Sequence, residues 1–330
     1  MSIPVITFFN NKGGVGKTSM VYHLSHMFAD HGVRVLAADL DPQCNLTSAF
    51  IDEENLENIL KNGTHVRTIR GAINPIQAGT GDIAEPRAEE INENLRVILG
   101  DMGLSSFEDS LSECWPKCLA GDERAFRVTT AFWRVLQTVG KDWADVALID
   151  VGPNLGATNR AALIASDYVV IPLGPDLFSL QGLENLGPAL KRWRADWQDR
   201  ILRFPAKNIP LPAGKIQTVG YMVLRHSIRL DRPVKAFERW MARIPETYAR
   251  AVLDSNPECK VAVESDTNCI AKLRDYRSLM PLAQEARKPM FFLKPADGAL
   301  GAHANAVKEV YREFLAVAKS IADRTNIRID

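Results

Sequence analysis

Apolar residues fall along this chain in short unbroken runs, separated by longer stretches where they recur every three or four positions. The runs Val5–Phe9, Val33–Ala38, Leu95–Leu99, Val146–Ile149, Tyr168–Ile171, Thr218–Leu224 and Met290–Leu293 read as strands. Most are continuous rather than alternating, the pattern of strands covered on both faces of a mostly parallel sheet. Helical spacing predicts Thr18–Asp30, Phe126–Val139, Leu180–Trp197, Pro233–Met241 and Asn305–Ala322 between them. Strands alternating with helices predict an α/β fold: a doubly wound, mostly parallel sheet with helices on both faces.

Three stretches fit that alternation poorly. Residues 51–94 are polar and acidic around a Gly/Ala/Pro-containing centre, 199–216 carry several prolines and basic groups, and 254–278 are polar. They are expected to be insertions or loops on one domain spanning 1–330, not linkers between domains.

Composition narrows the setting. Hydrophobic residues make up 46% and charged residues 24% of the 330, ordinary for a protein that buries a sizeable core. The formal net charge is zero, so affinity for nucleic acid or an anionic membrane has to come from a local patch. No secretory leader is visible, and no apolar run approaches membrane-spanning length. The five cysteines are odd in number and irregularly spaced, which argues against a disulfide framework and fits a cytoplasmic protein. Cys114 and Cys118 are four apart, but no second Cys or His pair nearby completes a metal site.

The densest chemistry is Asn10-Asn11-Lys12-Gly13-Gly14-Val15-Gly16-Lys17-Thr18-Ser19, after a predicted strand and before a predicted helix. That is the context a phosphate-binding loop requires. Gly13, Gly14 and Gly16 let the backbone approach a phosphate, and the N–H groups of this loop with the start of the helix form an anion cradle. Lys17 supplies a point charge to the β- and γ-phosphates, and the Thr18 hydroxyl is placed to bind Mg²⁺. Asn11 stands where the strict pattern has its first glycine; Asn tolerates left-handed backbone geometry, so the exchange is mild.

With its extra lysine the loop resembles the deviant Walker A motif, K-G-G-x-G-K-[ST], of the ParA/MinD/Soj family of P-loop ATPases. The resemblance implies that Lys12 reaches across a homodimer to the partner's nucleotide; the alternative is a lysine lining its own site. Ala38-Asp39-Leu40-Asp41-Pro42-Gln43-Cys44-Asn45 looks like the family's D-x-D-P-Q-x-N, which implies that Asp41 orients the attacking water and that Asp39 plays a supporting part near Mg²⁺. Val146–Ile149 followed by Asp150 is a Walker B pattern, with Asp150 holding Mg²⁺, usually through water. The family commonly has D-x-P-P there; Gly152 in place of the first proline is expected to loosen the backbone. Pro172 to Leu183 resembles the family segment I-P-x-x-x-x-x-x-L-x-G-L. The likeness covers 4–50 and 145–190 well, 281–319 loosely, and 51–94 not clearly.

In MinD-like members an Arg at the place of Arg225 lies near the adenine, making Arg225 a candidate to stack on a purine; a basic residue at a strand end is also ordinary surface chemistry. Two basic runs, Lys191–Lys207 and Arg225–Arg250, are candidates for non-specific DNA binding of the ParA kind, or else solvated helix faces. With the loop starting near residue 10, no helix-turn-helix is expected before it. The last predicted helix is followed by polar Ala322–Asn326 rather than a basic amphipathic tail, so no membrane partner is expected. The resemblance implies an ATP- and Mg²⁺-dependent dimerising ATPase that positions a cargo with an adaptor protein. An alternative is a regulatory or defence component whose ATP-driven dimer licenses an effector. An iron–sulfur reductase or ligase on the same fold fits the cysteines poorly.

Overall fold

The computed structural model describes residues 2–61, 67–205, 209–224, 234–256, 261–276 and 278–329. Its strands are β1 (Val5–Phe8), β2 (Val35–Asp39), β3 (Glu89–Asn92), β4 (Leu95–Ile98), β5 (Val146–Asp150), β6 (Tyr168–Leu173), β7 (Gln217–Leu224) and β8 (Cys269–Leu273). The helices are α1 (Lys17–Asp30), α2 (Asn45–Phe50), α3 (Glu53–Lys61), α4 (Ile69–Ala78), α5 (Phe107–Lys117), α6 (Glu123–Thr129) and α7 (Ala131–Gly140). They continue with α8 (Ala157–Ile164), α9 (Leu177–Ile201), α10 (Val234–Met241), α11 (Ile244–Ala251), α12 (Met280–Ala286) and α13 (Ala302–Thr325).

The strands form one eight-stranded sheet in the order β3-β4-β2-β5-β1-β6-β7-β8. Every pairing is parallel except β3 with β4. Successive side chains of each strand go to opposite faces and so sort into two cores. Leu36, Ala38, Ala147, Ile149, Tyr221 and Val223 meet α4 to α9 and α11 on one face. Val35, Ala37, Val146, Leu148, Met222 and Leu224 meet α1 and α13 on the other. Burying such a Val, Leu or Ile contributes roughly 1.5–3 kcal/mol, and both faces need it, which is why the strands read as unbroken apolar runs.

The winding positions the site. From β1 the chain crosses through α1 to β2 on one side; from β5 it crosses through α8 to β6 on the other. Where the winding reverses, the carboxyl ends of β1, β2 and β5 open onto a crevice, the usual ligand position in such a sheet.

Several expected elements differ. Met290–Leu293 is not a strand: Met290–Phe292 is a 3₁₀ turn whose Met290 and Phe291 are buried under α1 and α13. A four-residue apolar run does not distinguish a strand from any other buried segment. Phe126–Val139 is two helices, α6 and α7, parted at Thr130. Residues 51–94, expected as an insertion or loop, hold α3, α4 and β3, and Ile69, Ala72, Ile73 and Ile76 of α4 enter the core. The polar stretch 254–278 contains β8, half-buried along most of its length.

Candidate functional site

The loop from β1 to α1 takes its shape from two glycines in left-handed geometry, Gly14 (φ 71°) and Gly16 (φ 76°). Gly16 also stands against Leu224, whose Cδ1 would lie 2.6 Å from an added Cβ, so a side chain is excluded twice over. Asn10 is fully buried and anchors the loop: its Nδ2 donates to the Pro172 carbonyl at 2.8 Å, and its Oδ1 accepts from the Lys12 amide at 2.9 Å. Val15 is buried, while Gly13, Gly14, Gly16, Lys17, Thr18 and Ser19 line a cleft of about 760 Å³.

Lys17 is buried, its Nζ donating to the carbonyls of Asn10 (3.1 Å) and Lys12 (3.2 Å). Burial lowers its pKa, while Asp150 and then Asp41 pull it back up. Lys12 turns the other way: its Nζ pairs with Asp176 at 2.5 Å and lies 3.5 Å from the Ser179 hydroxyl at the start of α9. Burial raises the Asp176 pKa, but Lys12 and Ser179 together bring it below the usual carboxylate value.

Three acids meet at the strand ends. Asp39 and Asp150 are register partners on neighbouring parallel strands. Asp39, expected beside the metal, has both oxygens engaged: Oδ2 accepts from the amide and hydroxyl of Thr47 in α2, each at 2.8 Å, and Oδ1 from the Asp41 amide at 3.1 Å. Burial still pushes its pKa up to about 6. Asp41 lines the cleft and accepts the Gln43 amide at 3.0 Å. Asp150 is fully buried, and its carboxylate oxygens make no hydrogen bond of good geometry among the described residues, although the Thr18 hydroxyl stands close enough to favour the charged form. Its pKa rises to about 8, through burial first and then Asp39 and Asp41, opposed by Thr18 and Lys17.

A buried carboxylate without a partner is costly and calls for a cation or a proton. The donor set of Asp150 and the Thr18 hydroxyl, hard oxygens beside a phosphate cradle, fits Mg²⁺, which keeps several waters and needs few protein ligands.

The segment after Asp150 is not loose at Gly152. Asn159 of α8, nearly fully buried, donates through Nδ2 to the carbonyls of Gly152 (2.8 Å) and Asn154 (2.7 Å). Glu108 of α5 caps the start of α8 with both oxygens, accepting from the amides of Ala157 (2.5 Å) and Thr158 (2.7 Å). Beside Pro153 of the Walker B segment, the cleft is completed by residues the motifs do not contain: Tyr22 and His23 of α1, Ser48 and Ala49 of α2, and a far wall of Met280, Ala283, Gln284, Arg287 and Lys288 on and after α12. Only their helical spacing was legible, since none stands in a recurring phosphate or acid motif.

Arg225 lies outside the described residues, as do Lys207, Arg229 and Arg232. Within the two basic runs, several cations already have structural work. Arg194 donates to the Ile216 carbonyl, and Arg200 donates to the carbonyls of Trp115 and Asp196 while lying 3.8 Å from the Trp115 ring centre. Arg250 pairs with Glu184 and Lys191 with Asp254. Among the described residues, these cations of the two runs are engaged within the fold. No described helix is long and apolar enough to cross a membrane.

The doubly wound sheet, the glycine loop and the acids at the strand ends define a P-loop nucleotide-binding fold. A family model described as an AAA domain matches residues 3–202. Soj, the sporulation initiation inhibitor protein of Bacillus subtilis, is 31% identical over 182 residues, 55% of this chain and 62% of Soj. IncC of Escherichia coli is 30% identical over 177 residues, 54% of this chain and 43% of IncC. The match thus spans less than two thirds of either relative. Two solved structures share the fold over nearly the whole chain. Protein DIP2308 from Corynebacterium diphtheriae has a TM-score of 0.69 at 23% identity, covering 98% of each chain. A Cyanothece McdA(D38A)–ATP complex has 0.63 at 14%, covering 99% of this chain and 98% of that one. The chain belongs to the ParA/MinD/Soj-type family of deviant Walker A P-loop ATPases.

Proposed function

We propose that this protein is a MgATP-dependent dimerising switch that positions or segregates a cargo, such as a plasmid, a chromosome region or a protein assembly, and that ATP hydrolysis resets the dimer. The observation that carries the reading is the unpartnered, buried Asp150 carboxylate beside Thr18, at the mouth of a loop bearing two lysines with different surroundings. That a structure of the same fold, Cyanothece McdA(D38A), was solved as an ATP complex supports a nucleotide as the ligand.

In this reading Gly13 to Ser19 cradle the phosphates, and Lys17 balances their charge from a dry position where its field is little screened. Thr18 and Asp150 hold Mg²⁺, which would neutralise charge developing on the phosphates, and Asp39 holds α2 and Asp41 in register behind them. Asp41 orients the attacking water. Lys12 leaves Asp176 to reach the nucleotide of a second copy. The α12 wall, with apolar Met280 and Ala283 beside polar Gln284 and Arg287, is the face for base and ribose. In this reading the cargo is reached through an adaptor protein, with non-specific DNA contact through the Lys/Arg clusters as a further route, in the cytoplasm.

Asp41→Ala tests this. A group that positions water acts in the transition state, so the variant should bind MgATP as the parent does, hydrolyse it far more slowly, and accumulate as dimer on a sizing column. Parental turnover in the variant would remove Asp41 from the mechanism.

A further inference from the structure

The family pattern carries a proline two residues after the Walker B acid, and this chain carries Gly152. A Cβ built on Gly152 would lie 3.3 Å from Asp41 Oδ1, 3.6 Å from its Cγ and 3.7 Å from Oδ2. The first is closer than most real side chains pack against a neighbour. The Asp41 carboxylate thus leans over the end of β5, into space that a side chain at 152 would claim.

Neither backbone is free to yield. The Asp41 amide donates to Asp39 Oδ1 at 3.1 Å, its carbonyl accepts the Cys44 amide at 2.9 Å, and the preceding Leu40 amide donates to the Asp150 carbonyl at 2.9 Å. On the other side, Asn159 holds the Gly152 carbonyl at 2.8 Å. With both main chains hydrogen-bonded in place, crowding at 152 is relieved most readily by rotating the Asp41 side chain, which pulls against the bond from the Gln43 amide to Oδ1. Gly152 is not among the left-handed residues, so its backbone accepts an L-residue without strain. What the glycine supplies here is room, not conformational freedom.

We propose that Gly152 is a positioning residue for hydrolysis: its missing side chain sets where the Asp41 carboxylate stands. The proposal rests on the reading of Asp41 as the water-orienting group. A displacement of a few tenths of an ångström at such a group lowers turnover while leaving ground-state binding alone.

The experiment compares the full-length parent, Gly152→Ala, Asp41→Ala and the double variant. ATP affinity with Mg²⁺ present is measured by calorimetry, and basal turnover by phosphate release. Gly152→Ala should bind MgATP within about twofold of the parent, which also reports an intact fold, and turn over about tenfold more slowly. In the Asp41→Ala background the same substitution should cost nothing further, because residues acting through one group are not additive. Parental turnover by Gly152→Ala, with Asp41→Ala inactive, overturns the proposal and leaves the function standing. So does an equal loss in both backgrounds, or lost MgATP binding, either of which assigns Gly152 to the fold of the loop. Parental turnover by Asp41→Ala overturns the functional reading itself, and this proposal with it.

Discussion

Replacing Asp176 by Asn asks what restrains Lys12. The lysine sits 2.5 Å from Asp176 Oδ2, its own side chain 29% and the aspartate side chain 19% exposed. Asp176 also caps α9, its Oδ1 accepting the Ser179 amide at 3.1 Å. Asp176→Asn keeps an oxygen for that cap and removes the charge facing Lys12. Hydrogen bonds to charged groups contribute about 1.5–3 kcal/mol, and fully exposed ion pairs 0–1 kcal/mol. A partly covered pair falls between, at about 1–2 kcal/mol. If the Lys12 of each subunit must leave its Asp176 to reach the other subunit, that amount is withheld twice from a symmetric dimer, about 2–4 kcal/mol in all, and removing the charge should tighten the MgATP dimer roughly 30- to 900-fold. The assay is light scattering across a concentration series with saturating MgATP, in the Asp41→Ala background so that hydrolysis does not empty the site. Thermal melting of both proteins without nucleotide checks that the α9 cap survives. An unchanged or weaker dimer would refute the idea that Asp176 competes for Lys12, and if Lys12→Ala in the same background also dimerised like its parent, Lys12 would serve its own subunit.

Two further outcomes follow from the described contacts. Lys17→Ala should weaken ATP binding about a hundredfold or more in calorimetry, since it removes the buried positive group of the cradle; unchanged affinity would remove Lys17 from the site. His23 concerns stability: it is buried with Nδ1 2.8 Å from the Ser19 carbonyl and Nε2 accepting the Met290 amide at 3.3 Å, and burial takes its pKa from 6.5 down to about 4. Because the folded value is depressed, its contribution is fully present above pH 6.5 and is lost as pH falls towards 4, on the order of 3 kcal/mol across that window. His23→Gln should therefore flatten the fall in melting temperature between pH 7 and pH 4.5, and an unchanged slope would show that other groups set it.

The central strands and the phosphate loop were legible because one physical demand wrote both local pattern and tertiary place. Strands buried on two faces must be apolar throughout, and a backbone that closes on phosphate must carry glycine. The edges obeyed weaker demands. β8 is half-buried along Cys269–Lys272 and reads as polar loop, while Glu-Glu-Ile-Asn in β3 carries no strand signal at all. α4 is signalled by spacing, Ile69, Ile73 and Ile76, but Gly71 and Pro75 inside it and the glycines just after it read as loop and hide it. At the site, the types of Asp41 and Asp150 were readable from motifs. The engagement of Asp39 with α2 was not, because Thr47 lies eight residues away and only the fold brings it to the carboxylate. Gly152 was legible as a departure, but its consequence was not, since Asn159 and Asp41 approach it from other elements.

The antiparallel strand β3 bears on how the molecule meets copies of itself. It is four residues long, with Glu90 and Asn92 exposed and Glu89 paired to Arg67. Without it the Leu-Arg-Val-Ile strand β4 would be the rim of the sheet, offering unpaired amides and carbonyls to any extended chain. A short acidic rim is a poor template for strand addition. Open-ended polymerisation along the sheet is disfavoured at this boundary, so a high local concentration of the molecules does not by itself push them towards a cross-β aggregate from this side.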